Sequence, residues 1–152
     1  MQAQGITLLA PLTVGASAIL CTIVIHALIL IAVVHFVRRE ERLAHAGAGF
    51  WSDVVIVGLV ICFALAAHLV EIAVWAVLFM GCGEFRDFRT AYYHSAVNYT
   101  TLGYGDLVMS VSWRLLGPLE AANGMVMFGV TTALIFGIIQ RLLHARFPDL
   151  GD

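Results

Sequence analysis

The stretch Thr100-Thr101-Leu102-Gly103-Tyr104-Gly105-Asp106 lies between apolar segments long enough to cross a bilayer. Two glycines one residue apart disfavour a long helix, since each costs roughly 1 kcal/mol relative to alanine in a helix interior. Glycine also permits carbonyl directions that other residues avoid. At membrane depth, non-helical backbone is tolerated only where it is buried in protein or lines a water-filled cavity. A hydroxyl, a Gly-Tyr-Gly turn and a carboxylate thus stand on irregular backbone in a greasy chain, an arrangement that can turn a row of oxygens toward one axis.

The surrounding composition sets the solvent. Of 152 residues, 61% are hydrophobic and 12% charged, with a mean hydropathy of +0.95. A soluble domain would carry about twice that share of charge. The chain reads as one membrane-embedded unit in contact with lipid. A net charge of -2 implies nothing about nucleic acid and no basic patch is long enough to suggest it, so no nucleic-acid partner is expected; no catalytic constellation argues for an enzyme or a bound cofactor. Cys21, Cys62 and Cys82 form no CxxC pair and read as small apolar residues. Cys82 alone falls where an interchain disulfide is conceivable. No charged side chain precedes Arg38, so the first apolar segment lacks the positive flank and the short apolar run of a cleaved signal peptide.

Three segments exceed the ~20 residues that span a hydrocarbon core: 6–37, 54–80, whose only full charge is Glu71, and 115–140, whose only full charge is Glu120. Arg38-Arg39-Glu40-Glu41-Arg42 ends the first, and a connector with His45 and Gly47-Ala48-Gly49 follows. Gly81-Cys82-Gly83 breaks the second. Glu84 to Arg89 is an amphipathic surface stretch, and 90–100 is too short to span, which predicts a re-entrant helix. Arg38, Arg39, Arg42, Arg141 and Arg146 then share one side against Arg86, Arg89 and Arg114. The bias places the N-terminus outside and the C-terminus in the cytoplasm. The expected division is 1–52, a first span with its connector; 53–143, a pore-like unit; and 144–152, a short tail.

Thr101-Leu102-Gly103-Tyr104-Gly105-Asp106 resembles the selectivity filter of potassium channels, usually written T-V-G-Y-G-D. Ala91 to Thr100 is similar to the pore helix of that family, and Trp113 with the following segment to its inner helix, with Gly124 and Gly129. The resemblance covers roughly 54–141 and leaves the first segment outside. It implies two spans around a re-entrant pore helix and a filter loop, and with the first apolar segment the expected fold is an all-α membrane protein with three spans. It implies that backbone carbonyls of Thr101, Leu102, Gly103 and Tyr104, with the Thr101 hydroxyl, replace the water around K+. Thr100, Gly105, Asp106 and His94 would support the filter. One loop cannot encircle an ion, so a homotetramer follows. Leu102 departs from the usual valine. His94 stands where tryptophan is frequent and is expected to bond near Tyr104. Val97 replaces a glutamate found in some members, which leaves the partner of Asp106 open.

Other polar residues admit competing readings. His68 and Glu71, at i and i+3, share a helix face, and intramembrane ionisable groups are functional candidates. They are expected to make polar contacts to a neighbouring or pore helix, with a metal site as the alternative. Glu120 is expected to pair with Arg114 or to cap the pore loop. Gly129 is a hinge or a close-packing point. Thr132, Ile135, Phe136 and Ile139 are candidates for the cavity and lower gate. His26, His35 and His68 admit a haem-binding cytochrome, and a non-conducting membrane protein that retains the pore fold is the other rival. No segment repeats arginine every third residue, so no voltage sensor is expected. The favoured reading is a passive potassium channel subunit of a plasma or inner membrane, with its gating stimulus and any regulatory partner unassigned.

Overall fold

The computed structural model describes residues 2–43 and 50–146, with side chains described over 8–40 and 50–146. The connector with His45 and Gly47-Ala48-Gly49, and the tail from 147, lie outside the described residues. Four helices follow in order: α1 Gln2–Leu43, α2 Phe50–Gly81, α3 Phe88–Tyr99 and α4 Leu116–Arg146. Among the described residues there is no strand. Three helices are long and apolar enough to cross a membrane, over Leu8–Glu40, Phe50–Gly81 and Leu116–Arg146. At 1.5 Å per residue each measures about 45–50 Å, against ~30 Å of hydrocarbon. Leu20, Leu28, Leu65, Val77 and Met125 stand more than half exposed, as lipid-facing side chains do. The chain is an all-α integral membrane protein.

All three long helices outrun the apolar segments read from the sequence. α1 continues through Arg38 to Leu43, α2 begins at Phe50 rather than Val54, and α4 continues past Gln140 to Arg146. Loss of hydropathy marks where lipid ends, whereas the backbone ladder goes on until something caps it. In the last turn of α4, the Arg146 guanidinium lies 2.8 Å from Asp53, in the first turn of α2.

Both ends of the turn between α2 and α3 are capped by their own sequence. Gly83, at φ +79°, donates its N–H to Met80 O (2.9 Å), and Glu84 N–H reaches Phe79 O (3.0 Å). This paired closure stops a helix by turning one residue left-handed. Asp87 is the N-cap of α3, its carboxylate accepting from Thr90 N–H at 2.9 Å. That backbone hydrogen bond holds the Asp87 carboxyl below its ordinary range. A lowered value means that the cap stabilises the fold above the ordinary aspartate range and is lost as pH falls through the folded value. Asp87→Ala is therefore expected to lower the thermal midpoint at neutral pH. Wild type and variant should converge on acidification, and a constant difference at every pH would remove the cap from the account.

Packing places α3 between α2 and α4, while α1 lies against α2 and α4. Ile72, Trp75, Phe79, Tyr99, Leu116 and Met127 form one apolar cluster where α2, α3 and α4 meet, and Ala18 of α1 joins it. Val33, Val37, Ile56, Val60 and Ile138 form a second cluster toward the other end of the long helices. The short helix is thus clamped at one end of the bundle, and this fixes where the loop after it emerges.

Candidate functional site

The chain leaves α3 at Tyr99 and then alternates in hand. Thr101, Gly103 and Gly105 have φ of 59°, 60° and 72°, whereas Leu102 and Tyr104 between them are not left-handed. A β-branched residue at positive φ is a genuine outlier, and such strain persists only where the surroundings impose it. Three hydrogen bonds impose it here. Thr101 N–H donates to Asn98 O (2.8 Å), and Leu102 and Gly103 N–H both donate to Val97 O (2.9 and 3.3 Å). In a planar trans peptide each carbonyl points opposite to the N–H of the next residue. With these three N–H groups turned back to α3, the carbonyls of Thr100, Thr101 and Leu102 point away from it. The whole run from Thr100 to Asp106 is exposed in the single chain, so this row of oxygens faces outward from the fold.

Carboxylates anchor the loop on its far side. Tyr93 of α3 donates to Asp106 Oδ2 at 2.7 Å, which supplies the partner of Asp106 that the sequence left open. The bond holds the Tyr93 phenol above its ordinary value. Glu84 accepts from Ser110 N–H (2.7 Å) and Ser110 Oγ (2.6 Å), tying the loop to the turn after α2. Thr100 turns its hydroxyl back to Ala96 O at 2.7 Å. His94 differs from expectation. Within the chain it does not reach Tyr104; its Nε2 lies 2.9 Å from Asn98 Nδ2, and its ring packs on Phe79 and Phe85. Helical geometry explains the change, since residue 94 lies on the inward face of α3 one turn before Asn98. Burial pushes its imidazole below the ordinary histidine range.

Behind α3 lies a buried polar layer. His68 and Glu71 meet on one face of α2, as their spacing predicts, and His26 of α1 joins them. Glu71 is fully buried, and His26 and His68 nearly so. Glu71 Oε1 lies 2.7 Å from His26 Nδ1, and Glu71 Oε2 accepts from the Tyr99 hydroxyl. The metal alternative meets contacts of hydrogen-bond length at Glu71. Nor do the histidines suit haem: the rings of His26 and His68 stand 5.3 Å apart, and every nitrogen of the pair lies within 3.1 Å of a partner in the bundle.

On α4 the structure sorts the readings of Glu120 and Gly129. Glu120 does not pair with Arg114; it accepts from Ser95 Oγ of α3, because the first turns of α4 face α3. Close packing falls not at Gly129, which has open space around it, but at Gly124, where a Cβ would stand 2.1 Å from Tyr99 O. Of the candidate cavity residues, Thr132 and Phe136 are exposed, Ile139 is half-buried, and Ile135 packs instead on the cluster shared with α1 and α2. Cys82 is half-buried and free within the chain. Sequence reasoning missed Tyr99, Ser95 and Thr131 as polar partners. They sit in helices that look merely amphipathic or apolar, and their partners are 25 to 105 residues away. His26, a polar residue in an uncharged span, was the one available signal.

Two spanning helices that enclose a short helix and a strained loop of outward carbonyls define a membrane protein of the pore-loop class. The chain belongs to the ion channel family: the family model described as ion channel matches residues 55–141, more than half of the chain. That match takes in most of α2, all of α3, the loop and α4 as far as Arg141, and leaves α1 outside. No curated protein and no solved structure matched the chain in the other two comparisons.

Proposed function

We propose that this protein is a passive, potassium-selective channel subunit that works as a homotetramer. The observation that carries the reading is the alternating backbone of Thr101 to Gly105, with N–H groups tied to Val97 and Asn98 and carbonyls turned away. A dehydrated potassium ion trades water for carbonyl oxygens. Thr101, Leu102, Gly103 and Tyr104 supply these oxygens; Thr100, Gly105 and Asp106 keep the loop in place, and His94 supports it through Asn98, whose carbonyl holds Thr101 N–H. One strand of carbonyls covers one side of an ion, so four chains around an axis complete the ring. Leu102 and Tyr104, 54% and 66% exposed in the single chain, gain cover from neighbouring copies in such a ring. The C-terminus of α3 directs the negative end of its dipole toward the cation.

Orientation follows from arginine: α3 enters from outside, and the ends of α1 and α4 lie on the cytoplasmic side of a plasma or inner membrane. The test is ion uptake into liposomes that hold the purified protein. Rubidium and potassium should enter down an imposed gradient while sodium is excluded. Sodium entry at the same rate would refute selectivity, and no flux of any ion would refute conduction.

A further inference from the structure

Five contacts among buried side chains close a ring. Glu71 Oε1 meets His26 Nδ1 at 2.7 Å, His26 Nε2 meets Thr131 Oγ1 at 3.1 Å, and Thr131 Oγ1 meets His68 Nε2 at 3.1 Å. His68 Nδ1 then meets the Tyr99 hydroxyl at 3.1 Å, and that hydroxyl returns to Glu71 Oε2. All four helices contribute: His26 from α1, His68 and Glu71 from α2, Tyr99 from α3 and Thr131 from α4.

Each link is a hydrogen bond only if it holds one proton. Two neutral imidazoles, one phenol and one threonine hydroxyl bring one proton each to the ring, and an ionised Glu71 brings none. The ring is therefore one proton short. In that state one link sets two lone pairs face to face, and a net negative charge lies buried at membrane depth. Both are costly. A fifth proton removes both costs together. With it on Glu71, the donors run in one direction: Glu71 to His26, His26 to Thr131, Thr131 to His68, His68 to Tyr99, and Tyr99 to Glu71. Passing it across the short Glu71–His26 link gives a carboxylate and an imidazolium with the same total charge of zero.

We infer that this ring is a binding site for one labile proton, held between Glu71 and His26, whose occupancy couples α1 to the pore helix and to α4. Losing the proton weakens a link of the ring and leaves Tyr99, two residues before Thr101, bonded to a charged ring. The ionisable groups that face it are His26 from α1, His68 and Glu71 from α2 and Tyr99 from α3. From α4, Thr131 does not titrate, and Glu120 acts on Tyr99. The site also gives α1, which lies outside the family match, a task at the pore.

Glutamine at position 71 tests the count. Its amide can donate to His26 and accept from Tyr99, so E71Q closes the ring without a titrating carboxyl. Histidine protonation is read by nitrogen NMR of the labelled full-length protein from about pH 5 to about pH 10. In wild type, His26 and His68 should change together in a single step; in E71Q that step should vanish. Spectra that never change with pH, or that change alike in both proteins, would overturn the proposal. If E71Q does not fold, the wild-type spectra decide alone, a joint step supporting the site and its absence overturning it. Stoichiometric zinc in the purified protein would also overturn it.

The flux arm rests on the potassium-channel reading. Wild-type rubidium uptake should change at least about fivefold across this range, and the E71Q profile should be flat. A joint NMR step with pH-independent flux would overturn the coupling. Wild type that passes no ion at any pH would sink the channel reading and leave the NMR test standing.

Discussion

Gly124→Ala is expected to be among the most damaging single-methyl additions to this protein. A Cβ at residue 124 would stand 2.1 Å from the carbonyl oxygen of Tyr99, 3.0 Å from its carbonyl carbon and 3.2 Å from its ring. The obstacle is backbone, which cannot turn aside as the end of a side chain can. Tyr99 is fully buried and closes α3, so relief requires α3 and α4 to separate. Overpacking of a tight contact typically costs 1–3 kcal/mol and occasionally more, and a cost of about 3 kcal/mol is expected here. Thr101 starts two residues beyond Tyr99, so the shift also passes into the loop. The measurement is the thermal midpoint of purified protein together with rubidium uptake. Gly129→Ala is the control, because nothing lies within 4 Å of a Cβ there and alanine favours the helix by roughly 1 kcal/mol. If the two variants melt alike, the α3–α4 contact is not as close as described.

Gly103→Ala should leave the fold largely intact and abolish selective uptake. Here the nearest atom to an added Cβ is Thr101 O at 4.0 Å, so space is not the difficulty. Conformation is: Gly103 sits at φ +60°, where an alanine costs roughly 1–2 kcal/mol. In the proposed tetramer that cost is incurred in all four chains. A backbone that relaxes toward negative φ rotates the peptide planes on both sides and swings the Leu102 and Gly103 carbonyls off line. The expected signature is a collapse of rubidium-over-sodium discrimination with a thermal midpoint close to wild type. Discrimination retained at the wild-type level would show that residue 103 is not part of the filter.

These variants separate two kinds of information. The Gly-Tyr-Gly stretch, the three apolar spans and the short helix before the loop were legible in the chain, because each depends on neighbours in sequence. Hydropathy reports which segments lipid accepts, and closely spaced glycines report that a helix will not continue. The i, i+3 spacing of His68 and Glu71 likewise placed both on one face. The helices run past the apolar segments at 38–43, 50–53 and 141–146, which hydropathy alone does not report, because a helix can continue into polar sequence.

Tertiary structure decided the rest. That Thr101 is held at positive φ follows from hydrogen bonds to Val97 and Asn98, and nothing in a threonine favours that state. That the tight glycine is Gly124 and not Gly129 depends on where the Tyr99 carbonyl lands. The closed ring joins residues up to 105 positions apart. The sequence by itself determined a membrane protein built around one irregular, oxygen-rich loop, because bilayer solubility and local backbone preference are short-range properties. Only the packing of four helices determined which buried groups brace that loop, because a hydrogen bond between distant residues exists only once the chain has brought them together.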